Sequence, residues 1–377
     1  MGEQQPDGRI VLFGATGYTG RLTAQELVRR GARPVLAGRN HQRLRALSDE
    51  LGCDLECAGA DIADPASVRA LLRPGDLMLS TVGPFTHWGG PAIEAAIEAG
   101  SVAYLDSTGE PGFIRRVFEH YGPAASAAGV PLMTAMGYDW VPGNLAAALA
   151  VREAAGEAST VEVAYFLTGG GGGYSGGTMA STLASMTEPG FGFEGGAIRR
   201  RRNAQHLRTY ELRGRSRPAV SIASSEHFAL PPQFPELRDV EVFLGWFGSN
   251  SRPLQIGSAA IDLFARVPGA RAGIGALVGR AAKPSSGGPD EAARAGSGSY
   301  VMARARDRSG EALAEVHLQG VNGYTFTAAF LAWAAIEALS GGVDGDGALG
   351  PTAAYGIDRL EVGVESAGMV RCATPPG

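Results

Sequence analysis

Residues 10–20 read Ile-Val-Leu-Phe-Gly-Ala-Thr-Gly-Tyr-Thr-Gly, an apolar run that leads directly into a glycine-rich turn. The glycines are spaced as GxxGxxG, and residues 21–30 after them have the apolar period of a helix. A strand, a glycine turn and a helix in this order are typical of a dinucleotide-binding fold, because glycine lets a pyrophosphate approach the backbone at the helix N-terminus. The cofactor-binding residues predicted in this turn are Gly14, Thr16, Gly17, Tyr18, Thr19 and Gly20.

The alternation of strand and helix continues to about residue 143. Six apolar segments separated by helical ones are predicted as strands: 10–13, 34–37, 55–60, 76–82, 101–105 and 130–133. Regular alternation predicts a parallel sheet with right-handed crossovers. We therefore predict an α/β fold, with a Rossmann-type doubly wound parallel sheet in a domain that spans residues 1–143.

The pattern changes after residue 143 to segments that alternate apolar and polar residues, as strands with one buried face do. The predicted strands are 160–167, 219–228, 239–246, 299–306 and 312–321. They predict an inserted α+β domain over residues 144–323, for substrate binding or dimerisation. The Gly-, Pro- and Ser-rich residues 284–299 are predicted as a surface loop. We expect residues 324–377, with a helix at 328–339 and a strand at 360–364, to pack back against the first domain.

The composition restricts the classes of partner. The chain has 377 residues, 45% of them hydrophobic, and a net charge of −5, which argues against a nucleic-acid partner. Apolar runs stop short of a membrane span, and the first eight residues lack the features of a signal peptide, so we expect a cytoplasmic protein. The three cysteines match no zinc spacing, and no metal site is predicted.

The end of the second predicted strand indicates the form of the cofactor. Arg39 and Asn40 stand where a site specific for NAD usually has an acidic residue, and an arginine there accommodates the 2′-phosphate of NADP. The sequence thus favours NADP(H) over NAD(H), the alternative for Arg39 being an ordinary solvated arginine. Asp61, after the third strand, either accepts a hydrogen bond from the adenine or caps the helix that follows.

The segment after the fourth strand lies at the carboxyl edge of the predicted sheet, where open α/β sheets bind their ligands. It is predicted to line the nicotinamide half of the cofactor, although a structural Gly-Pro turn is the alternative. The predicted contacts are Thr81, Val82, Gly83, Pro84 and Phe85.

Several motifs resemble those of one family. They are the Gly14–Gly20 turn, Ala37–Arg39, Val82–Phe85, Tyr104–Glu110, Gly137–Gly143, Ser175–Thr178 and Gly347–Pro351. Together they resemble the saccharopine dehydrogenase-like oxidoreductases, and in particular the bacterial branch that includes trans-acting enoyl reductases of lipid and polyketide assembly. The resemblance implies an NADP-binding domain, an inserted α+β domain and, often, a homodimer. Members of the family reduce C=N or C=C bonds.

A reductase of this kind needs a proton donor near the acceptor. The Tyr-Lys pair of short-chain dehydrogenases is absent, because the only lysine, Lys283, has no tyrosine four residues before it. The predicted catalytic residues are Tyr138 and Asp139, after the sixth strand, and Tyr174, in a glycine-rich loop. Other acids near strand ends are Asp106, Glu110 and His87, and each candidate also has a purely structural interpretation.

One segment departs from the acidic average of the chain. Arg199–Arg217 contains eight arginines and one acid. Such a block is usually a solvated face or a disordered loop. The functional interpretation is a docking site for an acidic carrier protein or a phosphate-bearing substrate, because arginine suits phosphate geometrically.

These observations lead to one hypothesis and two alternatives. The first is an NADPH-dependent reductase of an activated C=C bond in an enoyl or polyketide/lipid-type intermediate, either a small molecule or tethered to a carrier. The second is a saccharopine-type C–N dehydrogenase or imine reductase. The third is a regulatory protein that binds NADP(H) without turnover.

Overall fold

The computed structural model describes residues 8–169, 190–212, 214–264 and 287–373. The chain divides into two compact units. Within the described residues, unit 1 contains residues 8–109, 113–141 and 323–368. Unit 2 contains residues 110–112, the described part of 142–322, and 369–373.

Unit 1 is built on a seven-stranded sheet. Its strands are β1 (Ile10–Phe13), β2 (Val35–Gly38), β3 (Cys57–Gly59), β4 (Leu77–Ser80), β5 (Ala103–Asp106), β6 (Pro131–Met133) and β15 (Gly347–Ala348). They are ordered β15-β6-β5-β4-β1-β2-β3, and every pair is parallel. The predicted doubly wound sheet is confirmed, with its switch point between β1 and β4. The short strand β15 adds a seventh member that the sequence did not predict.

Helices connect these strands. In chain order they are α1 (Tyr18–Arg29), α2 (His41–Glu50), α3 (Pro65–Arg69), α4 (Phe85–Trp88), α5 (Gly90–Ala99), α6 (Pro111–Arg116) and α7 (Gly122–Ala128). A single π-helical turn, Val117–Tyr121, joins α6 to α7. All residues of β1, β2, β4, β5 and β6 are buried, as expected for parallel strands that are covered on both faces, and this explains their continuous apolar sequences.

Unit 2 contains a mixed sheet of nine strands. They are β7 (Thr160–Gly169), β8 (Phe191–Glu194), β9 (Ala197–Arg200), β10 (Leu207–Leu212), β11 (Arg215–Ser221), β12 (Asp239–Leu244), β13 (Ser297–Arg306), β14 (Ala312–Val321) and β16 (Met369–Cys372). The main order is β10-β11-β12-β7-β13-β14-β16, with β8 on β12 and β9 on β8. The described α-helices of this part are α8 (Val141–Glu153), α9 (Glu226–Ala229), α10 (Ser251–Phe264) and α11 (Glu291–Ala295), and a short 3-10 helix, Gly248–Asn250, precedes α10.

The chain returns to unit 1 at residue 323. The helices there are α12 (Gly323–Leu339), α13 (Pro351–Tyr355) and α14 (Ile357–Ser366). Helix α12 is apolar on all sides, and ten of its residues are buried, as expected for a helix inside a core. The Tyr355 hydroxyl donates to the Ala334 carbonyl at 3.0 Å and so ties α13 to α12.

Three local predictions are wrong. Residues 360–364 are part of α14 and form no strand, because Leu360 and Val364, one helical turn apart, are the buried pair while Val362 is 60% exposed. The predicted strand 219–228 ends at Ser221. The described part of the predicted loop 284–299 contains α11 and the start of β13.

Among the described helices, none combines the length and the apolar character that crossing a bilayer requires.

Candidate cofactor and catalytic site

The turn after β1 has the geometry that its glycines predict. Gly14 has φ +91°, a left-handed conformation that glycine adopts without strain. Its N–H and that of Ala15 donate to the Ala37 carbonyl at 2.9 and 3.2 Å, which ties the turn to β2. A Cβ at Gly20 would lie 2.2 Å from the Gly14 carbonyl oxygen, so only glycine allows α1 to start this close to the turn.

The N-terminus of α1 fits a pyrophosphate. Its N-cap residue, Gly17, is exposed and provides no side-chain cap, so no side chain of that residue occupies the positive end of the helix. Thr16 and Thr19 are half-buried beside it, and the Thr19 carbonyl accepts from Thr23 Oγ1 at 2.9 Å. The ring of Tyr18 packs edge-on against Tyr324, with the centroids 5.1 Å apart.

The residues predicted to contact the adenosine half surround the ends of β2 and β3. Arg39 is exposed, and no described residue bonds to its guanidinium. Asn40 is the N-cap of α2, where its side chain accepts from the Arg43 N–H at 3.0 Å. Asp61 Oδ1 accepts from the Ala63 N–H at 3.0 Å, whereas the N-cap of α3 is Asp64. The helix-capping interpretation of Asp61 is therefore wrong, and its adenine role stays a prediction.

The segment after β4 is anchored at the switch point. The Thr81 N–H donates to the Phe13 carbonyl at 2.9 Å, and its hydroxyl lies 3.2 Å from the Gly14 carbonyl oxygen. Val82 is half-buried, Gly83 and Pro84 are exposed, and Phe85 is buried at the start of α4. The exposed part of this segment is thus presented at the carboxyl edge of the sheet, next to the glycine turn.

Asp139 lies in an environment that raises the pKa of its carboxyl. It follows β6 on the same edge, and its Oδ1 is buried without a hydrogen-bond partner among the described residues. Burial raises the pKa of Asp139 from 3.8 to about 7. Gly109 makes room for its carboxyl, because a Cβ there would lie 3.1 Å from Oδ2. At neutral pH, Asp139 therefore carries a proton in a large fraction of molecules.

Tyr138 is less accessible than its neighbour. Its side chain is 5% exposed and packs edge-on against Phe326, while its N–H donates to Thr327 Oγ1 at 2.9 Å. Gly323 approaches the Tyr138 ring so closely that a Cβ there would lie 3.0 Å from it. These contacts give Tyr138 a structural role, and its catalytic role stays a prediction.

Asp106 organises the loop that carries Asp139. Its Oδ1 accepts from the N–H groups of Thr108 and Ala135, both at 2.9 Å, and its Oδ2 accepts from the Thr134 hydroxyl at 2.8 Å. Burial raises its pKa to about 6, although these hydrogen bonds act in the opposite direction. Ala135 has φ +61°, a conformation that costs an alanine free energy and that the bond to Asp106 holds. Asp106 therefore supports the site structurally.

The arginine-rich segment is partly used within unit 2. Arg201 is 7% exposed and pairs with Glu194 at 3.0 Å. Arg208 pairs with the buried Glu162 and with Glu241. Arg202 donates to the Gln255 carbonyl at 3.0 Å. The exposed arginines of the described segment are Arg199, Arg200, Arg215 and Arg217.

Some predictions lie outside the described residues. Tyr174, the motif Ser175–Thr178, Arg213 and Lys283 are among these positions. Within the described ranges, no group of three or more His, Cys, Asp or Glu side chains is arranged to hold a metal ion.

Three residues near the site escaped the sequence analysis. Ala135 matters through its backbone conformation, and Thr327 matters because it contacts Tyr138 from a helix that is distant in sequence. Neither role is visible in the neighbouring sequence. Arg116 donates to two carbonyls of α4, and its position in the last turn of α6 does not distinguish it from the adjacent Arg115.

Comparisons with known proteins agree with this geometry. Residues 8–99 match the KR domain family. A trans-acting enoyl reductase of Mycobacterium ulcerans is 40% identical over 150 residues, which cover 38% of this chain and 36% of that protein. A Mycobacterium tuberculosis relative is 40% identical over 186 residues, covering 47% of this chain and 44% of the relative. The matches thus span less than half the length of these relatives.

The fold has a solved counterpart. The structure of saccharopine dehydrogenase (L-Glu forming) from Saccharomyces cerevisiae aligns with a TM-score of 0.60 at 15% identity, over 97% of this chain and 100% of that one. The predicted resemblance is confirmed, by sequence over part of the chain and by fold over nearly all of it. The comparisons also imply a nicotinamide cofactor.

Proposed function

We propose that this chain, which has the saccharopine dehydrogenase fold and is related in sequence to trans-acting enoyl reductases, is an NADPH-dependent reductase of an activated C=C bond. The observation that carries the proposal is the state of Asp139, whose partly buried carboxyl has a raised pKa and an oxygen with no hydrogen-bond partner among the described residues. It lies at the carboxyl edge of a doubly wound sheet. Ligands of such sheets bind at this edge.

The chain's residues fit the parts of the cofactor. The uncapped N-terminus of α1 and the turn from Gly14 to Gly20 suit the pyrophosphate. The exposed Arg39 suits a 2′-phosphate, which supports NADP(H) over NAD(H). The exposed residues after Thr81 suit the nicotinamide half.

Two electrons and two hydrogens must reach the double bond. When bound, NADPH supplies a hydride to one carbon. The other carbon then needs a proton, and Asp139 holds one at its carboxyl at neutral pH. Because the pKa of about 7 is close to the working pH, the carboxyl both donates this proton and recovers another from water.

We further propose that the substrate is tethered to an acidic carrier protein. Exposed arginines at β9 and β11 support this, because they provide positive charge on a chain that is acidic overall. Three arginines of the same segment are engaged inside unit 2, so the proposal rests on Arg199, Arg215 and Arg217. Arg200 lies 3.6 Å from Asp262 and contributes less.

The test has two stages. Calorimetric titration with NADPH and, separately, NADH measures the affinity and preference for the cofactor. Loss of NADPH absorbance is then followed with an enoyl thioester and with a cyclic imine. We expect preference for NADPH and consumption with the enoyl acceptor. Binding without consumption would favour the regulatory alternative, and consumption with the imine alone would favour a C=N reductase.

A further inference from the structure

Arg116 holds the segment that follows β4. Its Nη2 donates to the carbonyl oxygens of Phe85 at 3.3 Å and of Thr86 at 3.0 Å. Both carbonyls belong to α4, a helix of only four residues, and the Phe85 carbonyl also accepts from the Gly89 N–H at 2.8 Å. A cationic side chain at such carbonyls stabilises the helix end.

The guanidinium of Arg116 is itself fixed by packing. It lies 5.2 Å from the centroid of the Phe113 ring and 6.0 Å from that of Tyr121. The Phe113 ring packs in turn against Phe85, with the centroids 5.6 Å apart. A Cβ at Gly89 would lie 2.2 Å from the Phe113 ring, so the backbone after α4 also fits closely around this cluster.

The segment between β4 and α4 is therefore restrained at both ends. Thr81 binds it to the end of β1, and Arg116 binds α4 on the other side. Between these restraints lie Val82, Gly83 and Pro84, and the last two are exposed. Three residues restrained at both ends have little conformational freedom, so a change at Arg116 is transmitted to Pro84.

We propose that Arg116 is a positioning residue that sets the place of Val82–Pro84 against the nicotinamide ring. The inference rests on the proposed function, since it needs a nicotinamide at this edge. In this proposal Arg116 acts on the cofactor site through α4, whose first two carbonyls it binds. Reaction geometry is sensitive to shifts of about 1 Å, so loss of this restraint lowers the rate of reduction.

The experiment compares Arg116→Met, Arg116→Lys and the control Arg115→Met. Arg115 is the preceding residue of α6, and its ion pair with Glu119 is at the surface. The probes are NADPH and adenosine 2′,5′-bisphosphate, which lacks the nicotinamide. Calorimetry measures both affinities, the fluorescence of bound NADPH reports the surroundings of the nicotinamide, and thermal unfolding is recorded for every variant.

We expect Arg116→Met to bind adenosine 2′,5′-bisphosphate like the wild type, but to bind NADPH more weakly and with altered fluorescence. Turnover falls roughly 10- to 100-fold, by the usual cost of misplacing reacting groups. Arg116→Lys restores part of the loss, because lysine can still donate to one carbonyl, and Arg115→Met matches the wild type. If Arg116→Met does not fold, the inference is tested with Arg116→Lys, for which the same measurements should show a smaller loss of NADPH affinity and turnover.

Two results would overturn the inference. One is an Arg116 variant with wild-type NADPH fluorescence and turnover. The other is an equal loss of affinity for both probes, which indicates a general loss of structure. If the wild type itself binds neither probe, the proposed function fails, and this inference fails with it. Failure of the variants alone leaves the proposed function standing.

Discussion

Gly20 and Gly14 meet at the start of the first helix, where the Gly14 carbonyl oxygen occupies the space that a side chain at residue 20 would need. A Cβ there would lie 2.2 Å from that oxygen. The third glycine of the motif therefore serves helix packing, whereas Gly17 has no such contact closer than 3.2 Å and lies exposed at the proposed pyrophosphate site. The same motif thus combines a structural requirement at Gly20 with the proposed binding role of Gly17.

Gly20→Ala is expected to move α1 away from the turn. The added methyl group contacts backbone, which yields less easily than a side chain, so unfolding should become easier by about 1–3 kcal/mol. NADPH affinity should fall as well. Chemical denaturation and calorimetry measure both effects. The control is Gly59→Ala, since a Cβ there meets no atom within 4 Å. Equal stability of the two variants would contradict this account of Gly20.

Asp139→Asn should abolish most of the reduction while leaving cofactor binding intact. Loss of a general acid typically lowers the rate about 10²- to 10⁴-fold. Because the pKa of Asp139 is about 7, the wild-type rate should fall as the pH rises above 7, and the variant should lack this limb. Steady-state rates between pH 5 and pH 9 test this. A wild-type limb that persists in the variant would assign the proton to another group.

The same substitution should stabilise the protein at high pH. The pKa of Asp139 is raised in the folded state, from 3.8 to about 7, so folding binds a proton and stability falls as the pH rises between these values. Asparagine carries no charge, so the variant avoids the free-energy cost of burying an ionised carboxylate at high pH. Asp139→Asn should therefore unfold less readily than the wild type above pH 7, by up to a few kcal/mol. Below pH 3.8 the difference in the free energy of unfolding between variant and wild type should vanish. Denaturation curves recorded above pH 7 and below pH 3.8 test this prediction.

Arg39→Ala should remove the preference for NADPH. Loss of a guanidinium that bonds to a phosphate typically weakens binding roughly 10- to 100-fold. NADPH should bind that much more weakly, and NADH affinity should stay the same. Arg45→Ala, an exposed arginine on α2, serves as the control for lost positive charge. Unchanged affinities for both cofactors would refute the phosphate role of Arg39.

Replacing Arg199, Arg215 and Arg217 with glutamine should affect only carrier-bound substrates. KM for an acyl group on an acidic carrier protein should rise, and more so at low salt, because the arginines attract the carrier through long-range charge. KM for the same acyl group on a small thiol should not change. Arg69→Gln with Arg115→Gln, which removes two surface arginines of unit 1, is the charge control. If the triple variant and the wild type have the same KM for the carrier-bound substrate, the proposed docking site is wrong.

The sheet of unit 1 was predictable because each strand can be identified from its own short stretch of sequence. Each is a short buried apolar run, as in Ile10–Phe13 and Leu77–Ser80, and alternation with helices determines the parallel order. Strand β15 was missed because Gly347–Ala348 is two residues long and has no pattern of its own; it forms only through pairing with Pro131 and Leu132. The prediction of a strand at Leu360–Val364 is wrong because the apolar pattern of only five residues fits both the period of a strand and one turn of a helix.

The site was predictable where backbone geometry requires a residue type. Gly14 needs a left-handed conformation, and the fingerprint around it reveals this. The environment of Asp139 depends on desolvation by residues distant in sequence, so its raised pKa could not be read from its neighbours. Arg116 is the extreme case. Its effect runs through two backbone carbonyls 31 and 30 residues away, and backbone acceptors leave no trace in a sequence.

Unit 1 is interrupted by unit 2, since it closes only with residues 323–368. During translation, the first six strands emerge from the ribosome well before α12, which packs against α1 and the sheet of unit 1 and has ten buried residues. Until then a large apolar surface lacks its cover. Vectorial synthesis therefore leaves the first six strands of unit 1 waiting for α12 while most of unit 2 is already made, and the edge strand β16 of unit 2 is added last of all.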